Sequence, residues 1–162
     1  MNGRARSLHF PPAKEDGMPE RQTLERARKD KREGKSASTQ AGEFVREEMH
    51  HIREGKHGAA STKQAIAIGL SKARRAGVKL AAPRGGSAAV REQASRDLAK
   101  GTRHAKPSPK RSRASTRALR GEGRSAASHA ALSRHAKTSA AKRTKQARSQ
   151  SARRAAQTRR RA

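Results

Sequence analysis

Large apolar side chains are scarce in this chain and unevenly placed, which limits it to a small, local core. Of 162 residues only 18 are Leu, Ile, Val, Met or Phe, and nine of those lie between Phe44 and Leu80. The hydrophobic fraction of 31% is mostly Ala. Burying one large apolar side chain is worth roughly 1.5–3 kcal/mol, whereas ordering one residue costs about 1.5 kcal/mol. A marginal fold is therefore expected, one that self-association or a ligand would complete.

The C-terminal third has a different character. Residues 101–162 hold 19 Lys and Arg against one acid, Glu122, out of a whole-chain net charge of +28. Their only large apolar residues are Leu119 and Leu132. Such a segment cannot offset its ordering entropy by burial, so it is expected to be disordered in water. Residues 125–162 contain neither Gly nor Pro and are expected to become helical once a partner neutralises them. The charge has to be met by a polyanion, and DNA and RNA are the abundant ones.

Between these limits the pattern predicts helices and no strands. Pro19 and Glu20 open a polar helix reaching Glu33, with Leu24 and Ala27 on its apolar face and Gly34 as a left-handed stop. A second helix is expected over about 40–54, entered through Ser38 or Thr39, with Phe44, Val45, Met49 and Ile52 as one stripe. The third opens on a Ser61–Gln64 capping box, carries Lys72, Arg74 and Arg75 in its last turns, and stops at Gly77 with Val78 as the apolar contact. A weaker fourth helix runs from Ser87 to Lys100, with Val90, Ala94 and Leu98 on one face and Gly101 ending it. Arg32-Glu33-Gly34-Lys35 recurs as Arg53-Glu54-Gly55-Lys56, so a helix, a Gly-Lys turn and a Ser/Thr cap are used twice. Pro107 and Pro109 interrupt the chain after the module.

The expected architecture is all-α: a small helical module of three or four short helices and a disordered basic C-terminal tail. Its divisions are a disordered segment 1–18, a module 19–100 best supported over 38–80, and the tail 101–162. Met18, directly before Pro19, offers a second start beside Met1. No run approaches the roughly 18 apolar residues of a membrane span, and residues 1–17 lack the apolar region of a secretory signal.

Three stretches resemble known families. Ser108-Pro109-Lys110-Arg111 resembles the Ser-Pro-basic-basic element of linker-histone tails, which implies contact along the DNA minor groove. Residues 136–162 resemble the basic tails of linker histones and bacterial histone-like proteins. Glu43-Phe44-Val45-Arg46, Gly55-Lys56 and the run from Lys63-Gln64-Ala65-Ile66-Ala67-Ile68 to Arg74 resemble a family of small uncharacterised bacterial domains, over about residues 40–80. That last resemblance implies a bacterial cytoplasmic protein and no particular activity.

Catalytic and metal chemistry find little footing. There is no Cys, which removes thiolate sites and nucleophiles. No nucleophile elbow, phosphate loop or paired-histidine zinc motif occurs. Glu47 and His50, and Glu48 and His51, stand at i, i+3 with His57 nearby, but the two pairs are offset by one residue on a single helix. They read as surface helix charges, with no metal site and no cofactor expected. Only Phe10 and Phe44 are aromatic, so base-stacking recognition of single strands is excluded.

The function these features predict is nonspecific DNA binding and compaction by phosphate neutralisation, in the manner of a nucleoid-associated or histone-like protein of the bacterial cytoplasm. The expected contacts are Lys110, Arg111, Arg113, Lys142, Arg143, Lys145, Arg148, Arg153, Arg154, Arg159, Arg160 and Arg161. Lys63, Lys72, Arg74 and Arg75 are expected as secondary basic contacts. RNA binding, as a chaperone or ribosome-associated protein, is the first alternative. A helical interaction module with a polycationic tail, capable of self-association, is the second. No enzyme activity and no membrane contact are expected.

Overall fold

The computed structural model describes residues 19–103 and 108–161. The expected disordered segment 1–18, the second start at Met18 and the break at Pro107 lie outside the described residues. Seven helices are described and no strand among them: α1 (Arg21–Arg32), α2 (Ala37–Arg53), α3 (Thr62–Arg75), α4 (Ala88–Thr102), α5 (Pro109–Arg120), α6 (His129–Ala141) and α7 (Lys145–Arg161). A 3-10 turn, Ser125–Ala127, joins α5 to α6. The chain is all-α.

Helix starts and stops follow local chemistry. The hydroxyls of Ser36, Ser61, Ser87 and Ser128 each accept an otherwise unpaired first-turn N–H, at 3.2–3.3 Å. Ser36, not Ser38 or Thr39, therefore caps α2. It is the first side chain beyond the Gly34-Lys35 turn able to do so, and both later hydroxyls bond back to it. At α3 the box is displaced by one residue: Gln64 Oε1 accepts from Ala60 N at 2.7 Å. Gly34, Gly55 and Gly77 take positive φ of 70°, 77° and 92°. Each closes a Schellman motif, seen in Lys35 N to Asp30 O, Lys56 N to His51 O and Val78 N to Ala73 O at 2.9–3.0 Å. The repeated Arg-Glu-Gly-Lys motif is thus a repeated helix stop.

α1, α2 and α3 pack in sequence, with α4 on the far side of α3. One apolar cluster joins Ala27, Ala41, Phe44, Ala73 and Val78, with Leu24, Leu70 and Leu80 at its edge. A second joins Met49, Ile52, Ala59 and Ala65 to Ala126 and Ala127, flanked by Val45, Ile66 and Leu132. The α2 stripe and Phe44 thus lie in the core as the periodicity predicts. Val90 does not: it stands half exposed while Ala94 is buried, because α4 meets α3 along its small residues. Gly101 is no helix stop either, since α4 runs on to Thr102. A Cβ there would stand 2.1 Å from the Arg74 carbonyl oxygen, so the glycine serves close helix approach.

The largest departure concerns residues 109–161, expected to be disordered and found helical. Two physical terms account for it. Ala buries with almost no side-chain entropy loss, and Ala126 and Ala127 are 5% and 0% exposed. Backbone groups then complete the docking: Gly58 N donates to Leu119 O at 2.8 Å and Ala59 N to Gly123 O at 3.0 Å. Arg53 Nε donates to Ala127 O at 2.8 Å. The 119–132 segment is therefore docked on the core, with Ala126 and Ala127 buried in it and Leu132 packed beside them. The helices themselves match the expected lack of burial: α5 and α6 hold no buried residue, and on α7 every described side chain is exposed or half-exposed.

Candidate nucleic-acid interface

The cations expected as primary contacts reach solvent in three places. On α5, which begins at Pro109 in the favoured first-turn position, Lys110, Arg111 and Arg113 are exposed. Lys142 caps the end of α6, and Arg143 follows it in the turn, both exposed. α7 starts where Thr144 Oγ1 accepts from Ala147 N at 3.2 Å. It presents Lys145, Arg148, Arg153, Arg154, Arg159 and Arg160 to solvent and ends at Arg161. Advancing 100° per residue spreads these cations around the whole helix rather than along one face. With no acid on it, α7 repels itself electrostatically, and phosphate neutralisation would relieve that repulsion.

The secondary contacts separate into two kinds. Lys63 is exposed at the start of α3, and Arg75 is exposed near its end. Lys72 and Arg74 are each only 7% exposed. Lys72 Nζ lies 2.7 Å from Glu48 Oε2, and Arg74 donates to the Leu80 and Ala81 carbonyls at 3.0 and 3.2 Å. Lys72 cannot leave for a phosphate without unpairing the buried Glu48, and Arg74 is itself buried and holds the chain after α3 through two carbonyls, so both are structural. Their basic character gave no hint of this; only burial distinguishes them from Arg75.

Arg75 instead joins a cleft of ≈ 410 Å³ between α3, α4 and α5, where Arg96, Lys100 and Arg111 also converge. One carboxylate, Asp97, lies in this cleft and is 2% exposed. It is held by Ser71 Oγ at 2.5 Å and Gln93 Nε2 at 3.2 Å. Arg75 lies 3.8 Å from Asp97 and Arg96 also pairs with Glu92, so four cations facing two engaged acids leave a smaller local positive excess suited to an anion. Arg96 and Lys100 escape sequence reasoning, because on α4 they look like ordinary solvated charges.

A second cluster overturns the reading of the α2 acids and histidines as surface charges. His50 is exposed and pairs with Glu54 at 3.0 Å, but Glu47 and Glu48 are 4% and 0% exposed. Ligand-capable atoms of Glu48, His51 and His57 lie within 4.8 Å of one another. The Gly55 turn brings His57 back over α2, so three residues meet where sequence spacing allowed only offset pairs. Nearby, hydrogen bonding from His51 holds the Glu20 carboxyl below its usual range, and hydrogen bonding from Lys56 does the same for Glu54.

No helix among the described residues is long and apolar enough to cross a membrane. No curated protein and no solved structure matches the chain. Residues 32–84, from the end of α1 through α3 and the segment after it, match the model of a family described as a family of unknown function (DUF6496). The match covers less than half of the chain, and the family's description names no activity.

Proposed function

We propose that the protein binds DNA without sequence preference and compacts it by neutralising backbone phosphates. One observation carries the reading: α5, the α6–α7 turn and α7 hold a dense set of solvent-facing cations, and Glu122 is the only acid in residues 101–162. Binding of this kind is driven by counterion release and reads no bases. The anion-favouring cleft at Arg75, Arg96, Lys100 and Arg111 would add an ordered phosphate contact to the mobile charge of α7's long side chains. A nucleoid-associated or histone-like role in a bacterial cytoplasm suits such chemistry.

Salt-titrated binding to duplex DNA tests the proposal, with structured RNA as competitor at matched salt. Tight binding at low salt with a steep salt slope and little sequence preference supports it. Preference for RNA would transfer the same chemistry to an RNA-coating role. Indifference to both polymers in dilute buffer would end it.

A further inference from the structure

Glu48 is completely buried on α2, and neither of its carboxylate oxygens has a hydrogen-bond partner. Two cationic or potentially cationic groups stand close without hydrogen-bond alignment: Lys72 Nζ, 2.7 Å from Oε2, and His57 Nε2, 3.3 Å from Oε1. The orientation of His57 makes the second contact informative. Its Nδ1 lies 3.1 Å from the Gly58 carbonyl oxygen. A carbonyl only accepts, so Nδ1 must carry the hydrogen of a neutral ring, leaving Nε2 with a lone pair. That lone pair faces a carboxylate oxygen, which also only accepts. Something positive belongs between them, either a second ring proton or a metal ion.

A proton would account for His57 alone. His51 stands edge-on to it, ring centroids 6.2 Å apart, and is oriented by Glu20 Oε1 at 3.0 Å from its Nε2. A ring nitrogen held by a backbone carbonyl in one histidine and by a carboxylate in the other is how proteins orient metal-binding imidazoles. The surroundings also favour a cation. Glu20 N donates to Glu47 Oε2 at 3.2 Å, so Glu20, Glu47 and Glu48 occupy one corner of the fold. Lys56 and Lys72 stand beside these carboxylates.

We propose that Glu48, His51 and His57 bind one divalent transition-metal ion of the zinc class, with a fourth position for water. Two imidazoles and one carboxylate suit zinc, whereas magnesium and calcium favour all-oxygen sites. Lys72 remains on Oε2 and leaves Oε1 to coordinate. Tetrahedral bonds of about 2.0–2.2 Å need ligand atoms somewhat closer than 4.8 Å, a contraction that rotation of the side chains can supply. The ion would tie the end of α2 to the His57–Ala59 segment on which residues 119–123 dock, adding stability where the core is small.

Full-length protein, treated with chelator and freed of nucleic acid, would be titrated with Co²⁺ and then Zn²⁺. The expected result is saturable one-to-one Co²⁺ binding with the visible absorption of a four-coordinate site, displacement by Zn²⁺, and a raised thermal midpoint with Zn²⁺. His51→Ala and His57→Ala should each weaken Zn²⁺ binding by about tenfold or more, while His50→Ala and His129→Ala, at exposed positions, leave it unchanged. Because loss of a buried ring can disturb folding, ring-proton NMR of the unmutated protein gives a second reading: Zn²⁺ should shift His51 and His57 and spare His50. Absence of saturable binding to the unmutated protein, or one-to-one binding that survives removal of both rings, would overturn the proposal.

Discussion

The Thr62 hydroxyl donates to the Ala126 carbonyl across 64 residues of sequence, a buried hydrogen bond of 2.7 Å at the first turn of α3. It binds the basic C-terminal third to the module. Thr62→Val keeps the shape and removes the donor, leaving a buried carbonyl unpaired. Stability should fall by about 1–3 kcal/mol, measured by chemical denaturation. Tryptic cleavage at Arg120 and Arg124 should accelerate as residues 119–127 detach.

Gly58 has a harder constraint. A Cβ there would stand 1.9 Å from the Glu122 carbonyl oxygen, which is backbone and cannot swing aside. Gly58→Ala should cost about 1–3 kcal/mol as an overpacking substitution. Gly42, inside α2 with open space around it, supplies the contrast. Gly42→Ala should stabilise by up to about 1 kcal/mol through helix propensity, and paired thermal melts would show the opposite signs.

Lys72 and Lys63 lie on the same helix with different fates. Lys72→Met leaves the buried Glu48 charge without its ammonium partner and should destabilise by about 3–5 kcal/mol. Lys63→Met, at an exposed position, should leave the melting curve nearly unchanged. If phosphate neutralisation drives binding, Lys63→Met lowers the DNA salt slope by at most about one unit. A mild melting effect at Lys72 would refute its structural role.

Removing residues 144–162 deletes α7 and seven cations, namely Lys145, Arg148, Arg153, Arg154, Arg159, Arg160 and Arg161, while sparing the docked 119–132 segment. The slope of log K against log[salt] for duplex DNA should become shallower by about 6, with thermal stability unchanged. Truncation at residue 101 would also remove Ala126 and Ala127 from the core, so loss of binding there would confound charge with unfolding. Scrambling residues 144–162 at constant composition should leave the slope intact.

The Gly34 turn has a pH signature. Lys35 Nζ pairs with Asp30 and Glu33, both at 2.8 Å. Hydrogen bonding from Lys35 lowers the Glu33 pKa from 4.5, and hydrogen bonding to Asp30, then to Glu33, raises that of Lys35 from 10.5. A carboxylate with a depressed folded pKa adds stability above its unfolded value and loses it as pH falls through the folded one. A lysine with a raised folded pKa adds stability below its unfolded value and loses it as pH rises through the folded one. Lys35→Met should therefore lower the thermal midpoint slightly at neutral pH and low salt. The difference should fade in high salt, and at acid pH below 4.5.

Helix positions were largely legible because their signals are local. Gly34, Gly55 and Gly77 stop helices by their own backbone freedom, and the Phe44–Ile52 stripe announces its buried face by period alone. The misassigned α2 cap shows the limit of such reading: Ser36, Ser38 and Thr39 all have the right chemistry, and only the tightness of the preceding turn selects the first. The candidate site was less legible. Exposed cations on α5 and α7 could be named from composition, whereas Lys72 and Arg74 look identical to them in sequence and differ only in burial.

By itself the sequence determined the all-helical character, the strong positive charge and the absence of thiol chemistry, since these depend on residue type and short-range spacing. Tertiary structure decided that residues 119–132 dock on the core, because burial of Ala126 and Ala127 depends on a surface built by α2 and α3. It also decided that Glu48, His51 and His57 converge, through a turn that reverses the chain after Gly55. Contacts between distant segments arise from packing geometry, and no local period records them.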